Sequence, residues 1–333
     1  MSKPPIISIT NLKKHFKVYK KKPGLWGSIQ SLWHREYEVV KAVDGISFDI
    51  AEGEIVGFIG MNGAGKTTTL KMLSGLLYPT EGQPSVLGYN PWERKASFQK
   101  QFALVMGQKN QLWWDLPAVE TFYLNKAIYE IPDEQFEKTL KKLVKLLDVE
   151  DIIRIQVRKL SLGQRMKCEL IAALLHNPKV LFLDEPTIGL DVVMQKTLRD
   201  FIKAYNKEFG ATIILTSHYM DDVKELCERA IIIDHGKKIF DGKLQDIIDK
   251  YARNKKLSLV FSEPVTKKDL QAFGDLKEFS DDGSHYTATL LVARKKATAV
   301  AAQVLSKFPV VDVTIEEPPI EAIIREVFSK EGS

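Results

Sequence analysis

The chain has 333 residues, 44% hydrophobic and 27% charged, with 48 Lys+Arg against 43 Asp+Glu. That is enough material for two cored domains, and so small a basic surplus gives no footing for a nucleic-acid partner. Two cysteines exclude a disulfide-framed scaffold, and no apolar run approaches the ~18–20 residues that span a bilayer.

In chain order, Met1-Ser2-Lys3-Pro4-Pro5 lacks an apolar h-region, so the chain is expected to be made in the cytoplasm and to stay there. Ile6–Thr10 reads as a first strand. After the lysine-rich stretch to Lys22, Leu25, Trp26, Ile29, Leu32 and Trp33 fall on one face at helical spacing. That face suits either a membrane or partner surface, or the protein's own core. Glu38–Ile50 alternates like a strand. Ile55–Gly60 is a buried strand running into a glycine-rich turn, and Thr67–Leu77 a helix.

Pro117–His176 has helical periodicity almost throughout, which implies a helical subdomain inserted in an α/β core. Short apolar strands return at Val180–Leu183, Thr212–Thr216 and Ala230–Asp234, with helical stretches between, the pattern of a mainly parallel sheet covered by helices. Near Lys250 the composition turns polar. Beyond it the order β-α-β-β-α-β predicts a small ferredoxin-like α+β domain over 251–333, after a first domain of 1–250, and its last helix opens at Pro318-Pro319.

Chemistry enters at Gly60-Met61-Asn62-Gly63-Ala64-Gly65-Lys66-Thr67, which fits G-x-x-x-x-G-K-[ST]. Small residues let successive N–H groups aim at phosphate oxygens, and the following helix N-terminus, with Thr68, adds favourable partial charge. Lys66 can reach the β- and γ-phosphates and the Thr67 hydroxyl can ligate Mg2+. Val180–Leu183 ends in Asp184-Glu185, where a parallel sheet delivers side chains to its ligand crevice. Asp184 suits Mg2+, and Glu185 suits the water that attacks the γ-phosphate.

With Leu160-Ser161-Leu162-Gly163-Gln164 between these motifs, the chain over roughly residues 6–245 resembles the ATP-binding cassettes of membrane transporters, whose signature reads Leu-Ser-Gly-Gly-Gln. Gln108, Gly189-Leu190-Asp191 and His218 fall in the family's order. The resemblance implies an α/β P-loop cassette: a mainly parallel core sheet, an antiparallel β part and the helical subdomain at about 117–176, followed here by the small C-terminal α+β domain. It implies ATP and Mg2+ as cofactors. Glu185, His218 and Gln108 are then catalytic, with Thr67, Gln108 and Asp184 at the metal. Ser161, Gly163 and Gln164 would meet the nucleotide of an opposite cassette in a homodimer, and Asp191 would link the two. Leu162 departs from the signature glycine, but Ser161 and Gly163 remain.

The adenine-stacking aromatic is expected at Phe16, with Tyr19 and Tyr37 as alternatives. In Gln108–Pro117, Trp113 and Trp114 either anchor a membrane subunit or pack on the helical subdomain. The resemblance further implies separately encoded polytopic permease subunits, a peripheral place on the cytoplasmic face of the membrane and, in detail, the bacterial drug- and polysaccharide-exporter branch. A soluble cassette ATPase is disfavoured by the single cassette and the absence of heptads.

Overall fold

The computed structural model describes residues 4–19, 37–107, 109–217, 219–251, 254–281, 286–317 and 323. The chain divides into two compact units, Met1–Gly242 and Lys243–Ser333. The division falls ahead of the Lys250 read from composition. The reason is local: Asp249 is ion-paired with Arg294 at 2.9 Å, so the helix that carries it belongs to the C-terminal unit.

The strands of the first unit are β1 (Ile7–Tyr19), β2 (Tyr37–Ile50), β3 (Ile55–Ile59), β4 (Glu81–Val86), β5 (Phe102–Met106), β6 (Val180–Asp184), β7 (Thr212–Thr216), β8 (Arg229–Asp234) and β9 (Lys237–Lys243). Its helices are α1 (Lys66–Leu73), α2 (Ala96–Gln99), α3 (Ala118–Tyr129), α4 (Asp133–Leu147), α5 (Leu162–Leu174), α6 (Val192–Phe209) and α7 (Met220–Leu226).

Six strands form one sheet in the order β5-β6-β7-β3-β8-β9, with β5/β6, β6/β7, β7/β3 and β3/β8 parallel. Every residue of β6 and β7 is buried, which is why these segments read as unbroken apolar runs. A second sheet, β2-β1-β4, is antiparallel. Ile7, Val43, Ile46 and Phe48 of that sheet share one core with Val56, Phe58, Phe182 and Ile231 of the larger sheet and with Leu70 of α1.

Two departures from the sequence expectation have clear causes. β1 runs on to Tyr19 instead of ending near Thr10, because the register shifts between Ile9 and Leu12 with Asn11 at φ 48°. That bulge puts Leu12 back on the buried face and hides the alternation from a period-2 scan. β4 contains Pro84 and was not foreseen; it is an edge strand, where a missing N–H costs no ladder bond.

The helical region carries α3, α4 and α5. In α4 the buried residues Phe136, Leu140, Leu143, Val144 and Leu147 recur at helical spacing and form its inner stripe. Cys168 and Cys227 are free and buried.

The second unit contains α8 (Leu244–Tyr251), β10 (Asn254–Phe261), α9 (Lys267–Gln271), β11 (Asp275–Asp281), β12 (Tyr286–Ala293), α10 (Ala297–Lys307) and β13 (Val310–Glu316). Its sheet, β11-β12-β10-β13, is antiparallel throughout, the ferredoxin-like order. Leu257, Leu259 and Phe261 of β10 alternate inward onto Leu270, Ala301 and Val304 from α9 and α10. The expected final helix at Pro318-Pro319 and the Leu25–Trp33 face lie outside the described residues. Among those described, no helix is long and apolar enough to cross a membrane.

Candidate functional site

The buried strand β3 delivers the chain into Gly60 and out through α1 at Lys66. The turn between is tight. Gly65 sits at φ +107°, and a Cβ there would lie 2.3 Å from the Ala42 carbonyl oxygen, so only glycine fits. Gly63 is also left-handed, at φ +81°, while Ala64 is buried. Lys66 is 5% exposed and its Nζ folds back to donate to the carbonyls of Gly60 (2.7 Å) and Met61 (3.2 Å). Burial lowers its pKa, and the negative charges of Glu185 and Asp184 oppose that shift. The ammonium is thus held at the phosphate loop by two loop carbonyls, with the two acids expected to work with it favouring its charge.

Those acids end β6. Asp184 accepts from the Thr67 hydroxyl at 2.8 Å and from the Thr216 hydroxyl at 2.7 Å. Thr67 and Asp184 are hard oxygen donors of the kind that could hold Mg2+. Among the described residues no group of three or more His, Cys, Asp or Glu is placed to hold a metal ion. The Glu185 N–H donates to both Oγ1 (3.0 Å) and the carbonyl (3.1 Å) of Thr216. At φ +55° Glu185 is held in the left-handed region, a strain that such pinning sustains at functional sites.

One cleft of about 750 Å3 is lined by Asn62, Gly63, Gly65, Lys66, Thr67, Thr68 and Glu185, with Val40, Lys41, Ala42, Met61, Ile188 and His235; Gly60, Ala64 and Asp184 are not part of that lining. His235 was not anticipated. It shares a left-handed two-residue turn with Gly236 (φ 44° and 78°) between β8 and β9. The His-Gly pair after the apolar run Ile231–Ile233 could have signalled the hairpin, not its proximity to the phosphate loop.

Phe16 does not itself line the cleft. It is cross-strand from Val40, which does, and lies under Lys14 Nζ at 5.1 Å. Tyr19 and Tyr37 instead meet edge to face, 6.2 Å apart. Gln108 and His218 lie outside the described residues.

Ser161, Gly163, Gln164 and Asp191 stand apart from the cleft. Ser161 caps α5 in a reciprocal box: its hydroxyl accepts from Gln164 N–H, and the Gln164 side chain accepts from Ser161 N–H. Asp191 caps α6 by accepting from Met194 N–H at 2.8 Å. The two helix starts touch, since a Cβ on Gly163 would meet the Met194 side chain at 2.8 Å.

The loop after β5 rests on α5. Leu112 is buried, whereas Trp113 and Trp114 are 55% and 49% exposed. The Arg165 guanidinium lies 5.3 Å from the Trp114 ring centre. The Gln111 N–H donates to Glu169 Oε1 at 3.3 Å. Glu169 is buried, and desolvation pushes its carboxyl up to about 7, against the opposing pull of the Gln111 N–H and Arg165.

Unfolded, that carboxyl titrates near 4.5, so the folded state binds the extra proton between the two values. Stability therefore falls as pH rises from about 4.5 to 7, by about 3 kcal/mol in all, and stays reduced above. Glu169→Gln is expected to flatten that fall, so the variant gains on wild type between pH 5 and pH 8 in denaturant midpoints. Parallel pH profiles for the two proteins would remove this account.

Comparison with known proteins agrees with the geometry. The family model "ABC transporter" matches residues 43–188, and "EvrA-like ABC transporter, C-terminal domain" matches 253–316. The ABC transporter ATP-binding protein NatA of Bacillus subtilis is 32% identical over 230 residues, covering 69% of this chain and 93% of NatA. The Nod factor export ATP-binding protein I of Burkholderia lata is 32% identical over 241 residues, 72% of this chain and 79% of that protein. A solved ATP-binding subunit of an ABC transporter superposes with TM-score 0.61 at 24% identity, over 74% of this chain and 93% of its own. A cassette solved as a dimer with ADP and phosphate gives TM-score 0.59 at 23% identity, over 72% and 98%. With a phosphate loop, paired acids at the end of β6 and relatives matched over most of their length, the chain belongs to the ATP-binding subunits of ABC transporters and is an ATPase.

Proposed function

We propose that two copies of this chain close on ATP at the cytoplasmic face of a membrane and drive export through separately encoded polytopic subunits. One observation carries the reading: the cleft holds Lys66, Thr67 and Glu185, while the exposed Ser161 caps a helix start outside its lining, with Gly163 buried in the first turn. Each cleft thus lacks donors that a second copy would bring. Nucleotide held by both halves favours the closed pair, and loss of the γ-phosphate removes that preference.

In this scheme Lys66 and the loop N–H groups hold the β- and γ-phosphates. Glu185 takes the proton of the attacking water, with His218 on the γ-phosphate and Gln108 aligning the water. Mg2+, held by Thr67, Asp184 and Gln108, would supply charge neutralisation on the phosphates. Gln164 and Asp191 support the crossing contact, and Phe16 is the favoured stacking partner for adenine. The exporter direction is supported by the likeness to the Nod factor export ATP-binding protein I. The reading of the first unit as the cassette and of the second as an accessory domain belongs to the same proposal.

Trp113 and Trp114, half exposed in a loop braced on α5, are suited to anchor the membrane partner. Affinity purification from native membranes in mild detergent tests this. Wild type is expected to bring down a polytopic membrane protein, and the Trp113→Ala/Trp114→Ala double variant at least about tenfold less of it. A wild-type preparation free of any polytopic protein would overturn the transporter scheme. Unchanged recovery with the double variant would move the contact away from this loop.

A further inference from the structure

Asp222, on the first turn of α7, is fully buried and touches no part of the cleft. Its Oδ2 accepts from the Thr187 hydroxyl at 2.5 Å and from the Ser217 hydroxyl at 2.6 Å. Its Oδ1 accepts from Arg199 Nη1 at 2.9 Å. The three donors come from three different segments. Thr187 follows Glu185 by two residues, Ser217 ends the described chain before residue 218, and Arg199 lies on α6, the helix that Asp191 caps. Ser217 Oγ in turn accepts from Tyr219 N–H at 2.9 Å, clasping the chain on both sides of residue 218.

A buried carboxylate is costly unless its lone pairs are filled. An Arg partner alone would offset its charge. Two added hydroxyls, both nearly inaccessible, bring the turn after β6 and the turn after β7 onto one oxygen atom. Since the turn after β6 is short, fixing Thr187 against Ser217 restricts where Glu185 can sit relative to the end of β7.

We propose that Asp222 is a positioning residue for ATP hydrolysis: by tying Thr187 to Ser217 at the end of β7 it fixes the turn that carries Glu185, so that Glu185 is held in place against the γ-phosphate. The inference rests on the role given to Glu185 above. It assigns to Asp222 no contact with nucleotide.

Thr187→Val and Ser217→Ala, singly and together, test it in the full-length chain, because they remove the hydroxyls and leave the Asp222–Arg199 pair in place. Each single variant is expected to lower kcat about five- to tenfold, with KM for ATP and binding of a non-hydrolysable ATP analogue within about twofold. The double variant should lose less than the product of the two, since both hydroxyls act through one oxygen. Thr187→Ser, which keeps the hydroxyl, should return to near the wild-type rate.

Wild-type kcat in both single variants, with or without a lowered thermal midpoint, would make Asp222 a purely structural partner of Arg199. A raised KM with unchanged kcat would place the network in binding and overturn the proposal equally. The underlying scheme fails differently: wild-type kcat in Glu185→Gln would withdraw that role itself, whatever the hydroxyl variants do.

Discussion

Glu185→Gln is expected to lower ATP turnover about a thousandfold while leaving ATP affinity within about threefold of wild type. The amide matches the carboxylate in size, so the left-handed turn at φ +55° and the two bonds from its N–H to Thr216 survive. What disappears is the proton acceptor at the wall of the cleft. Removing a negative charge beside the phosphates also relieves repulsion, so affinity should hold or rise. Lys66 loses one of the two charges that support its protonation, but Asp184 remains. The expected consequence is an ATP-loaded pair that does not discharge. Sedimentation velocity with ATP should then show a dimer in the variant under conditions where wild type is mostly monomer. Turnover within tenfold of wild type would exclude Glu185 as the base. Lost turnover with no ATP-dependent dimer would leave the base in place and remove the two-copy closure.

Gly107→Ala should be nearly as damaging, although residue 107 matches no motif. The Gly107 N–H donates to the Asp184 carbonyl at 2.9 Å. A Cβ there would come within 2.0 Å of the Glu185 carbonyl oxygen and 3.2 Å of Ile188 Cγ2. The obstacle is backbone, and that backbone is pinned to β7 through Thr216, so it cannot swing aside as a side chain would. Either the end of β5 opens from β6 or the Glu185 turn moves. Expected values are a loss of about 3 kcal/mol in stability and about a hundredfold in kcat. Gly163→Ala is a useful contrast: the three atoms nearest its Cβ all belong to the flexible Met194 side chain, and a milder loss is expected. Chemical denaturation and ATPase rates on both variants check this. Wild-type stability and turnover in Gly107→Ala would mean that the junction of β5 and β6 is far softer than its close packing implies.

The phosphate loop and the paired acids were legible because their chemistry is local. Gly60 to Thr67 must make a tight left-handed turn for its N–H groups to converge, and only small residues allow it. Asp184-Glu185 can be read because an apolar run ending in acids has one place to go in a parallel sheet. The buried strands β6 and β7 and the β-α-β-β-α-β order of the second unit follow equally from contiguous pattern. Gln108 and His218 were named from motif order, and they fall outside the described residues.

Tertiary structure decided what depends on meetings between distant segments. The continuation of β1 past Asn11 needed a bulge that only pairing with β2 reveals. His235 enters the cleft because the β8–β9 turn lies beside Ala42, and Gly236 N–H and Ala64 carbonyl are bonded at 3.1 Å. Glu169 looks like any charged residue of a helical stretch until folding buries it under Gln111. Asp222 collects a hydroxyl from 35 residues away and an Arg from 23 away. A local pattern reports the conformation a segment must adopt on its own account. A buried polar atom is explained only by the partner that folding brings to it, and no spacing in the chain encodes that partner.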